Sequence, residues 1–67
     1  MVIFQTKIAG FEISLARETT NRRVTYAVRY GEQFRSGFTR TQAAHELGYC
    51  IFHALECEGK LDGRPNG

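Results

Sequence analysis

No apolar run in this chain approaches the ~18 residues needed to cross a bilayer. The opening "MVIFQTK" has no basic stretch ahead of its apolar residues, so a secretion signal is not expected. There is no linker, repeat or low-complexity segment, and 67 residues imply one domain. Only two cysteines occur, Cys50 and Cys57. On one helix their Cα atoms would stand about 10.5 Å apart, beyond the roughly 7 Å that a disulfide tolerates. Two reduced thiols and a cytoplasmic location are the expectation. A chain this short leaves little room for a substrate pocket of about 300 Å³, which argues against an enzyme.

What is present is ordinary for a soluble domain: 42% apolar and 24% charged residues, with a net charge of +2. The charge is unevenly spread. Residues 1–41 hold Lys7, Arg17, Arg22, Arg23, Arg29, Arg35 and Arg40 against Glu12, Glu18 and Glu32. Residues 42–67 hold Lys60 and Arg64 against Glu46, Glu56, Glu58 and Asp62. A basic first part and an acidic second part suggest two electrostatic faces.

"VIFQTKIAGFEISLA" suggests a hairpin turning at Ala9-Gly10. Ile8 then faces Phe11, Thr6 faces Ile13 and Phe4 faces Leu15. The rival is one long strand bent by a bulge at Gly10. "RETTNRR" is a polar turn around Asn21. "RVTYAVRY" alternates, with Val24, Tyr26, Val28 and Tyr30 on one face. Gly31-Glu32 suits a hairpin turn with glycine first. "QFRSGF" is expected to place Phe34 and Phe38 inward and Gln33 and Arg35 outward, with Gly37 at a bulge.

The apolar period then changes from two to 3.6. Thr39 and Gln42 form a capping box, with Phe38 stapling against Ala43. Gly59 is a natural stop. A helix from about Arg40 to Glu58 follows, with a core stripe of Ala43, Ala44, Leu47, Cys50, Ile51, Ala54 and Leu55. The expected architecture is α+β: an antiparallel sheet of three to four strands, packed on one face by a single C-terminal α-helix. Residues 1–59 form the domain and 60–67 a flexible tail.

Cys50, His53 and Cys57 invite a metal reading, with Glu46 one turn before. One straight helix cannot bring both cysteines to a tetrahedral ion, so no metal or cofactor is expected. A His53/Cys57 nucleophile pair lacks an orienting group and an oxyanion hole. The helix C-terminus also lacks the positive dipole end that activates a thiol nucleophile.

Two surfaces remain as candidate partner sites. The helix arc opposite the core holds His45, Tyr49, Phe52 and Glu56, and exposed aromatics are enriched at interfaces. Alternatively, Phe52 tilts to the core edge and Tyr49 packs on the tail. The uncovered sheet face is expected to carry Lys7, Arg23, Arg29 and Arg35, suited to phosphates or an acidic protein surface. A plain solvated face is the other reading of those charges, and the one favoured.

From Val24 onward, "VTYAVRYGEQFRSGFTRTQAAHEL" resembles the AP2-like arm-binding domains of integrases. Tyr26, Val28, Tyr30, Phe38, Arg40 and Ala44 occupy the matching positions. That resemblance implies a sheet laid in the DNA major groove, with Arg23, Arg29 and Arg35 at the contact. The overall profile is also similar to small phage-encoded proteins of the anti-CRISPR inhibitor type. The expected function is a non-enzymatic protein that docks on and inhibits or modulates a larger, nucleic-acid-handling complex. The alternative is a small DNA-binding module using the basic sheet face. A homodimer through Tyr49 and Phe52 is a further possibility.

Overall fold

The computed structural model describes residues 1–60, so the expected tail lies outside the described residues from position 61 onward. Strands β1 (Val2–Ile8), β2 (Phe11–Thr20), β3 (Arg23–Tyr30) and β4 (Gln33–Phe38) precede one helix, α1 (Arg40–Cys57). The strands pair antiparallel in chain order, with β1 and β4 at the edges. This is the α+β architecture the sequence predicts, with four strands.

The first connection is a hairpin, and its register pairs Ile8 with Phe11, Thr6 with Ile13 and Phe4 with Leu15. Ala9 and Gly10 both have positive φ, 55° and 80°, as a two-residue type I′ turn requires. Asn21 and Arg22 do the same between β2 and β3, at 52° and 63°. Near its start, β1 carries one extra residue, since Val2 pairs with Ala16 and Phe4 with Leu15. That shift turns Val2 to the uncovered face.

β4 departs from the expectation. Gly31-Glu32 joins Tyr30 directly to Gln33, and the next pairs are Arg29 with Phe34 and Val28 with Arg35. Directly paired residues share a face, so Gln33 and Arg35 lie on the helix side and Phe34 on the open side. The placement of Phe34 in the core and Arg35 outside is therefore corrected. An extra residue at Ser36-Gly37 then restores the parity: Tyr26 pairs with Phe38, which returns to the helix side. Gly37 has φ +79, so the bulge falls where the sequence suggested one.

The helix starts and stops on its own signals. The Gln42 backbone N–H donates to Thr39 Oγ1 at 3.2 Å, and the Thr39 N–H donates to Gln42 Oε1 at 2.9 Å. At the other end, the Gly59 N–H reaches the Glu56 carbonyl and the Lys60 N–H reaches that of Leu55. Gly59, at φ +77, sits at the left-handed position of a Schellman motif. The Ala9 N–H donates to Glu58 Oε2 at 2.8 Å, tying the helix end to the first turn.

Val28, Ala43 and Cys50 form a buried cluster against which Leu15, Tyr26, Tyr30, Phe38 and Leu47 pack, and Ile13, Ala27 and Ala54 are buried as well. Ala44, expected in the stripe, is exposed. Phe4, Phe11 and Val24 are on the helix side yet are also exposed, because α1 is too narrow to cover the whole sheet. The core is thin, as a chain of this size dictates.

Candidate docking surfaces

The four arc residues His45, Tyr49, Phe52 and Glu56 are all exposed on α1. Tyr49 is 71% exposed, and Phe52, at 61%, does not tilt to the core edge; the alternative packing of Tyr49 on the tail lies outside the described residues. Tyr49 stacks on His53, with ring centroids 6.4 Å apart. The Tyr30 hydroxyl lies 2.7 Å from His53 Nδ1, and the two rings meet edge to face. Tyr30 also packs against Phe11, at 5.0 Å between centroids. An aromatic chain thus runs from the sheet through His53 to the exposed Tyr49. Burial chiefly raises the Tyr30 phenol pKa above its ordinary 10.0, and Cys57, Cys50 and Tyr49 add to the shift.

Arg35 belongs to this helix side. Its guanidinium is 3.9 Å from the Glu46 carboxylate, an exposed pair worth little by itself. Gln33, Arg35, Glu46, Tyr49 and His53 line an open hollow of about 240 Å³ between β4 and α1. Cys50 is buried at its floor, and its thiol pKa is raised first by burial and then by Glu46, with Arg35 opposing. Cys57 is exposed. Among the described residues, no three His, Cys, Asp or Glu side chains converge as metal ligands do.

The open sheet face can be laid out from the register. Its successive rows are Thr20–Arg23, Glu18–Thr25, Val2–Ala16–Ala27, Gln5–Ser14–Arg29–Phe34, and Lys7–Glu12. Three of the predicted basic residues, Lys7, Arg23 and Arg29, do share this face; Arg35 does not. Lys7 stands directly opposite Glu12, and Arg29 lies over the Phe34 ring at 5.3 Å. Counting Glu12 and Glu18, the face is nearly neutral rather than mainly basic.

Two features escaped the sequence reading. Met1, Val2, Ile3 and Phe4 are consecutive exposed apolar residues at an edge strand. The polar turn expected around Asn21 is present, but the sequence did not show that it closes a long β2–β3 ribbon. Other hollows are also open to solvent, including one of about 290 Å³ among Leu15, Tyr26, Arg40, Ala43, Ala44 and Leu47. Among the described residues, no helix is long and apolar enough to cross a membrane.

Comparison with protein-family models, with curated proteins and with solved structures finds no match to this chain.

Proposed function

We propose that the chain is a non-enzymatic docking protein that inhibits or modulates a larger, nucleic-acid-handling complex. The observation that carries this reading is the pair Tyr49 and Phe52, one helical turn apart and mostly exposed. Two exposed aromatics side by side on one helix face make the kind of patch that protein contacts favour. Tyr49 and Phe52 offer much contact area, and the His53–Tyr30 hydrogen bond holds the ring beneath Tyr49 in place. Little entropy is then lost on docking. His45 and Glu56 supply the polar rim.

The rival reading, DNA held on the flat sheet face, has less support. Arg35 is absent from that face and Lys7 is opposed by Glu12.

A photo-crosslinking residue at position 52, introduced in the producing cells, tests the docking face. Crosslinks to a larger protein that vanish when Tyr49→Ala is added, with the fold intact by circular dichroism, are the expected result. Crosslinks only between copies of the chain would replace this reading with a homodimer.

A further inference from the structure

The end of the β2–β3 hairpin stands clear of the rest of the protein. Met1 exchanges two hydrogen bonds with Arg17, the last backbone pair between β1 and β2 among the described residues. Phe38 pairs with Tyr26, and β4 reaches no further along β3. Beyond that row, Glu18–Thr25, Thr19–Val24 and Thr20–Arg23 pair only with each other, closed by Asn21-Arg22. At about 3.3 Å per residue this ribbon projects roughly 10 Å or more. All its residues are exposed except Thr25, which is half-buried.

The ribbon and its base are strongly basic. Arg22 is at the tip and Arg23 on the open face. On the helix face, Arg17 and Arg40 line an open hollow of about 520 Å³ with Thr39, Val24 and Tyr26. Glu18 is the one acid, on the open face one row from Arg23, so the net positive charge lies at the tip and on the helix face. Among the described residues, none of the four arginines is in an ion pair. Arg22 also holds a left-handed conformation, φ +63, where the preferred Asn-Gly turn would be relaxed. The chain keeps a charge at its tip against the local backbone preference, which is where function tends to override such preferences.

We propose that this ribbon binds duplex DNA by entering the major groove, with Arg17 and Arg40 facing one phosphate wall and Arg23 and the tip Arg22 facing the other. A B-form major groove about 12 Å wide admits a two-stranded ribbon. The deep, narrow major groove of A-form RNA does not. Positive groups on both faces match a cleft with phosphates on both walls, which a flat sheet face cannot. This inference stands apart from the helix-face reading, since Tyr49 and Phe52 lie further along α1.

Fluorescence anisotropy on a labelled duplex at two salt concentrations tests it. Four phosphate contacts give a log–log salt slope of about −3.6, or roughly a hundredfold weaker binding from about 50 to about 200 mM salt. Arg22→Gln/Arg23→Gln and Arg17→Gln/Arg40→Gln should each remove about half of that slope. Arg22→Gly should raise Tm while weakening DNA binding, the two effects moving in opposite directions. The proposal is overturned by an absence of salt-sensitive binding, or by equal affinity for a single strand of the same length. It also falls if the ribbon variants bind like the parent while Lys7→Gln/Arg29→Gln loses the slope, or if Arg22→Gly leaves affinity unchanged. Loss of the position-52 crosslinks leaves all these outcomes as they are, so the two proposals fail separately.

Discussion

Two side chains show how local surroundings decide chemistry here. Tyr30 donates to or accepts from His53 across the gap between β3 and α1, at 2.7 Å. Tyr30→Phe should cost about 1 kcal/mol, the usual net worth of such a bond. The phenol also keeps its proton more tightly when folded, because burial raises its pKa above 10.0. Its contribution is therefore complete below pH 10 and declines as pH rises beyond that value. Urea unfolding at about pH 9 and about pH 11 should show a smaller alkaline loss in Tyr30→Phe than in the parent. The thiols divide in the same way. Cys50 is buried with a raised pKa, whereas Cys57 is exposed. Iodoacetamide should modify Cys57 in the folded protein and reach Cys50 only on unfolding, as peptide mass mapping would show. Equal labelling of both would contradict the burial of Cys50.

At the scale of elements, the turns set the geometry. Ala9 sits at φ 55, where a non-glycine residue is strained, while its N–H is fixed by Glu58. Ala9→Asn creates the preferred Asn-Gly turn and keeps that N–H, so it should stabilise by a few tenths to about 1 kcal/mol. Thermal denaturation would register the gain, and a lower Tm would contradict the turn geometry. Turns also explain what could be read in advance. The first hairpin, the Thr39/Gln42 capping box and the Gly59 stop were legible because each signal lies within a few residues. β4 was misread because its parity depends on two features acting together. The two-residue turn puts Gln33 beside Tyr30, and the Gly37 bulge then shifts the strand once more. A one-residue slip inverts every side chain, so Phe34 and Arg35 exchanged faces. Helical period places Tyr49 and Phe52 on the arc opposite the core but leaves Phe52 free to tilt to the core edge, and only its 61% exposure decides against that tilt. The free ribbon was not legible, because its length depends on where β1 and β4 stop.

Across the whole molecule, the candidate surfaces occupy different places. The basic ribbon adjoins the start of α1, and the end of α1 is tied to the β1–β2 turn by Glu58. Tyr49 and Phe52 lie between. If both proposals hold, the two partners would not compete for one face. The same layout has a kinetic consequence. Three two-residue turns join strands that pair in chain order, so sheet assembly by successive short-range closures should have little loop entropy to overcome. Docking of α1 is the long-range step, since the Ala9–Glu58 contact spans 49 residues. If that contact forms after the transition state, Glu58→Ala should speed unfolding and leave the refolding rate nearly unchanged, whereas Ala9→Asn should speed refolding. Stopped-flow chevrons of the two variants would order the events. A slowed refolding limb in Glu58→Ala would mean that the helix anchors before the sheet is complete.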